Sequence, residues 1–123
     1  MNRILSAGIA LFTLLAISTF AWAHAFLDHA DPKVGSVVSV SPADVKIWFT
    51  QEIEPDFSVI EVLDSHGKEV DKQDSHVDSD DEKLLIVSLP ALPDGEYSVS
   101  WKVVSVDTHH TQGDFKFTVK AGK

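Results

Sequence analysis

The chain of 123 residues has no cysteine, a single methionine at Met1 and a single arginine at Arg3. Without cysteine there is no disulfide and no thiolate, so zinc–thiolate and iron–sulfur sites are excluded and the fold rests on its hydrophobic core alone. Without an internal methionine there is no thioether for a soft metal ion. From residue 24 onward no stretch carries convincing helical periodicity, which argues against a helical bundle. Any metal site must be built from imidazole, carboxylate, amine or backbone groups.

What is present begins with the amino terminus. Residues 1–23, MNRILSAGIALFTLLAISTFAWA, join a cationic start to an apolar run and end on Ala21-Trp22-Ala23, the small-x-small pattern of a signal-peptidase site. This predicts a signal peptide over 1–23 and a mature domain over 24–123. A retained anchor over Ile4 to Trp22 is the competing expectation, since that length approaches a bilayer span. Ser6, Gly8, Thr13, Ser18 and Thr19 make it a weak one. Cleavage after Ala23 leaves His24 first, able to offer a metal ion its free amine and its ring nitrogen in one chelate. Such N/O donors suit copper(II). A cut after Ala21 would abolish that chelate.

The mature 100 residues suffice for one domain. They carry nine lysines against all nineteen acidic residues, a formal charge of −10. That charge excludes nucleic acid and anionic membrane surfaces as natural partners and leaves cations attractive.

Apolar and polar residues alternate at period two along most of the domain. Val45, Ile47 and Phe49 share one face of a strand over 44–50, and the strand signal returns over 57–63 and 83–89. A long strand over 96–106 puts Tyr97, Val99, Trp101 and Val103 on one side, and Phe115, Phe117 and Val119 mark the last. Ser65-His66-Gly67-Lys68 and Pro93-Asp94-Gly95 read as turns. Short strands between turns predict an all-β, two-sheet antiparallel β-sandwich, with a small closed barrel as the alternative. Residues 71–82, DKQDSHVDSDDE, read as a solvated acidic loop; as a calcium loop they lack the glycine and terminal glutamate of an EF-hand.

The second chemical segment is Ser105-Val106-Asp107-Thr108-His109-His110-Thr111-Gln112-Gly113. In extended backbone Asp107 and His109 leave the same face, in line with Trp101 and Val103. A carboxylate and an imidazole at a sheet's end can meet a third donor, and a first strand starting at His24 is the obvious source. By itself Asp-x-His is more often a hydrogen-bonded turn. His110 falls on the opposite face, and His29, His66 and His76 read as solvated. Trp48 and Trp101 read as packing residues.

His24-Ala25-Phe26-Leu27 with Asp31-Pro32 and Gly35, Val45-Lys46-Ile47-Trp48-Phe49-Thr50, and Tyr97 to His109 with Gly113-Asp114-Phe115-Lys116-Phe117 together resemble the CopC family of periplasmic copper-binding proteins. The resemblance spans essentially the whole mature chain. It implies a Greek-key β-sandwich of immunoglobulin-like or cupredoxin-like form and one Cu(II) per chain in a histidine brace. The amine and ring of His24 would join the His109 imidazole, with Asp107 close by. It also implies a periplasmic monomer with no catalytic activity, serving copper homeostasis or resistance, and an inner-membrane transporter of the CopD type as a partner. Where some members carry a glutamate near the copper, this chain has Gln51, followed by Glu52. The methionine-rich Cu(I) loop of other members has no counterpart, which implies a Cu(II)-only variant. Two rivals stand beside this reading: a metal-free immunoglobulin-like interaction module, and a histidine-brace copper monooxygenase, which is usually larger and richer in cystines.

Overall fold

The computed structural model describes residues 25–122, so the expected signal peptide over 1–23 and His24 lie outside the described residues. Eight strands form: β1 (Leu27–Asp31), β2 (Val37–Val38), β3 (Asp44–Phe49), β4 (Val59–Leu63), β5 (His76–Asp78), β6 (Asp81–Ser88), β7 (Gly95–Val104) and β8 (His110–Val119). They build two four-stranded sheets, ordered β1-β3-β6-β5 and β2-β8-β7-β4. Among the described residues no helix is long and apolar enough to cross a membrane.

Period-two alternation sets which side chains meet between the sheets. In β3, Val45, Ile47 and Phe49 are buried while Asp44, Lys46 and Trp48 are not. In β7, Tyr97, Val99, Trp101 and Val103 turn inward, opposed from β8 by Phe115, Phe117 and Val119. Each fully buried aliphatic or aromatic side chain contributes about 1.5–3 kcal/mol. With no cysteine in the chain, that burial is what holds the two sheets together. Trp101 meets Phe49 edge to face across the sandwich, with centroids 5.1 Å apart. Tyr97 stacks on Phe117 and donates its hydroxyl to the Pro93 carbonyl at 2.6 Å, tying down the turn before β7.

Several local expectations are corrected. Phe57 does not begin a strand: Pro55–Phe57 form a 3-10 turn that leaves Phe57 exposed, and β4 starts two residues later. One strand pair is parallel, β2 on β8. The chain arrives there through Gly35 at φ 74°, whose N–H donates to the Lys116 carbonyl, and runs alongside β8 for two residues. The acidic run is not a simple solvated loop. His76–Asp78 pair with β6, and Asp71 is buried.

Asp71 has a structural task. Its Oδ1 accepts from the Val62 N–H at 2.7 Å, while Ser75 Oγ accepts from the Ile60 N–H at 2.9 Å and donates to the Ile60 carbonyl. These side chains occupy the outer edge of β4, whose backbone groups would otherwise stand open to another strand.

The pairing that positions the 105–109 tip runs between β7 and β8. It is continuous from Gly95 opposite Val119 to Val104 opposite His110, so residues 105–109 form the hairpin's tip. Gly113 sits under the Trp101 ring, and a Cβ there would lie 2.6 Å from Cζ2 and 3.0 Å from Cε2. The ring is buried and cannot give way. Gly113→Ala is expected to cost about 1–3 kcal/mol through overpacking, read as a lower urea midpoint with a displaced Trp emission.

Candidate metal centre

The tip at 105–109 is organised by Ser105, which is 1% exposed. Its backbone N–H donates to the His109 carbonyl at 2.9 Å, and its carbonyl accepts from the Thr108 N–H at 2.8 Å. Its hydroxyl accepts from the His109 N–H at 3.2 Å and donates to Asp107 Oδ1. The loop closes through Thr108, which adopts φ 73°. That left-handed conformation is uncommon for a β-branched residue and costs on the order of 1–3 kcal/mol, held here by the surrounding bonds.

Asp107 and His109 come together, though by a route other than the expected extended backbone. The turn folds them toward each other, and His109 Nδ1 lies 3.2 Å from Asp107 Oδ1. An ionised carboxylate only accepts, so this contact requires the ring proton on Nδ1. Both side chains are about half exposed, at 47% and 48%. The Ser105 hydroxyl, with the His109 ring second, holds the Asp107 carboxyl below its ordinary value of 3.8, against a weaker opposing effect of desolvation.

His24, the third expected donor, lies outside the described residues. Its neighbour Ala25 is fully buried, and the Ala25 carbonyl accepts from Thr111 Oγ1 at 2.6 Å, two residues beyond His109. Phe26 is held beside it: its N–H donates to Thr50 Oγ1 at 3.0 Å, and its carbonyl accepts from the Thr50 N–H at 2.8 Å. The first described residues, the end of β3 and the start of β8 therefore meet at one end of the sandwich. The segment after β3 joins them, with Ile53 bridged to Ser105 and the Val106 N–H donating to the Glu52 carbonyl. Among the described residues no group of three or more histidine or acidic side chains could hold a metal ion; Asp107 and His109 are a pair.

The other histidines sit elsewhere. His110 opens β8 opposite Val104 and lines a shallow hollow with Phe57, Val59 and Lys102 on the outer face of its sheet. His66 is exposed in its turn, and the exposed His76 has its Nδ1 2.9 Å from the Asp74 carbonyl. His29 departs from the simple solvated reading. A bulge between Leu27 and His29 brings Asp28 beside it, with Nδ1 2.7 Å from Oδ2, and the ring stacks on Trp48 at 4.4 Å. Glu52 contributes its backbone to the tip, while its side chain is exposed. The residues that the sequence reading left without a role are Ser105 and Thr111. Ser two positions before Asp is turn chemistry that could have flagged the first.

A two-sheet sandwich with an Asp-x-His tip beside its first strand defines a class of protein, and the chain belongs to it: the CopC domain model matches residues 27–120, placing the chain in the CopC family. Protein YobA of Escherichia coli K12 is 33% identical over 119 residues, 96% of each chain. The crystal structure of CopC from Methylosinus trichosporium OB3b superposes with a TM-score of 0.76 at 36% identity, covering 81% of this chain and 97% of that one. PcoC, a methionine-rich copper resistance protein from Escherichia coli, gives 0.71 at 30% identity, covering 80% of this chain and all of that one.

The Asp107 geometry carries a pH dependence. Because the carboxyl is held low in the folded state, its contribution to stability is complete above the ordinary carboxylate range and is lost as pH falls through the lowered folded value. A carbon-13 NMR titration is expected to give Asp107 a midpoint below 3.8; a midpoint at or above it would contradict the hydrogen bonding described.

Proposed function

We propose that the protein is an exported, periplasmic copper(II)-binding protein that holds one ion per chain at the sandwich end formed by Ala25, Thr50, Thr111 and the 105–109 tip. Membership of the CopC family and the likeness to PcoC support copper handling in resistance or homeostasis. In this reading residues 1–23 are a signal peptide and removal of that segment exposes His24. The His24 amine and ring bind with the His109 imidazole, and Asp107 stands close by, against the other nitrogen of that ring. Three nitrogens with a water completing the plane make the tetragonal N,O set that Cu(II) prefers, and copper heads the divalent series for such donors.

The observation that carries this reading is the bond from Thr111 to the Ala25 carbonyl. It ties the residue that follows His24 to the strand that follows His109. The Asp107–His109 contact adds a second support, since metal-ligating imidazoles commonly bond a carboxylate through the other ring nitrogen. With no methionine after Met1 there is no thioether to favour Cu(I), which supports Cu(II) as the bound form. The role is that of a carrier or sequestering protein, monomeric and without catalysis, which exchanges copper with an inner-membrane transporter of the CopD type.

The test is a Cu(II) titration of the mature protein, its first residue established by mass spectrometry, beside a form with one extra residue before His24. The extension is expected to change the Cu(II) EPR spectrum and weaken binding; an unchanged spectrum removes His24 from the coordination sphere. Binding is also expected to be weaker at pH 5 than at pH 8. Imidazoles of reference pKa about 6.5 and an amine of about 7.7–8.0 must lose their protons to coordinate.

A further inference from the structure

Of the three buried polar or charged residues among those described, Ser58, Asp71 and Ser105, only Ser105 touches the Asp107–His109 pair. We propose that Ser105 is the positioning residue of the copper site: through Asp107 it fixes which nitrogen of His109 faces the ion. The inference rests on the copper reading above and deepens it.

The geometry supplies the argument. Ser105 bonds all three residues of the Asp-Thr-His run, Asp107 by its hydroxyl, Thr108 by its carbonyl and His109 by its N–H and its hydroxyl. It is itself fixed from the other side, because it bridges Ile53, which is 2% exposed. Asp107 Oδ1 thus lies between two donors, the Ser105 hydroxyl and His109 Nδ1. Oδ1 is the oxygen that steers the ring. With Nδ1 protonated toward Oδ1, Nε2 becomes the coordinating nitrogen of His109. Ser105 contacts no ion itself. Its hydroxyl holds the carboxylate, the carboxylate holds the ring, and the strained φ of Thr108 is retained because both ends of the turn are bonded to this one residue.

A serine that only satisfied a turn would affect stability alone, whereas a positioning residue affects the ring. Ser105→Ala removes the hydroxyl without adding volume. In metal-free protein at about pH 8, above the imidazole range, nitrogen-15 NMR of wild type is expected to show His109 as the Nδ1–H tautomer. Ser105→Ala is expected to mix the tautomers and to weaken the Cu(II) dissociation constant about 10- to 100-fold, the range for orienting partners. Ser105→Thr, which keeps the hydroxyl, is expected to restore both. If Ser105→Ala does not fold, Ser105→Thr decides: folded protein lacking the wild-type tautomer and affinity overturns the proposal. Ser105→Ala that leaves either the tautomer or the affinity unchanged, in a protein whose wild type binds Cu(II), overturns the role of Ser105 and leaves the copper reading standing. Wild type that binds no Cu(II) refutes the copper reading itself, whatever the tautomer.

Discussion

The unbroken antiparallel pairing of β7 with β8 governs this molecule, because ten residues on each side stay in register until the chain must reverse within five. One inward face of that ribbon supplies Trp101, Val103, Phe115 and Phe117 to the core, so packing fixes the register. A slip of one residue would turn each of these side chains to solvent. The height of the 105–109 tip above the core is therefore set by burial deep in the sandwich. Gly113 belongs to the same constraint, since the Trp101 ring can lie flat across β8 only where no side chain intervenes.

The tip in turn is a small hydrogen-bonded unit seated on that ribbon. Ser105 is buried and bridged to Ile53, so it inherits the rigidity of the core, and it passes that rigidity to Asp107 and His109, which are half exposed. Thr111 performs the parallel service for the opposite segment by anchoring Ala25. Two side chains that reach solvent are thus held by supports that do not.

Much of this was legible in the sequence, for identifiable reasons. The faces of β3 and β7 could be read because β-branched and aromatic residues recur there at period two with few exceptions. The sandwich followed from turns spaced between such runs, and the family from the joint occurrence of the Trp-x-Val-Val-Ser-x-Asp-x-His run and the residues near His24. What could not be read was local. β5 hides in an acidic run because an edge strand of three residues needs no continuous hydrophobic face. Asp71 looked like one more surface charge, since its bond to Val62 depends on how the acidic run meets β4. The Asp107–His109 contact was expected from extended backbone and arises from a turn closed by Thr108 at positive φ, a conformation that threonine does not advertise. The pairing of β2 with β8 is parallel because of a crossing between sheets, which no short window of sequence records.

The plugging of β4 reaches beyond the single molecule. With Asp71 and Ser75 occupying its amides, that margin presents side chains where a naked strand would offer a template. Added to mutual repulsion between strongly acidic copies, it makes that edge a poor template for pairing one molecule with another.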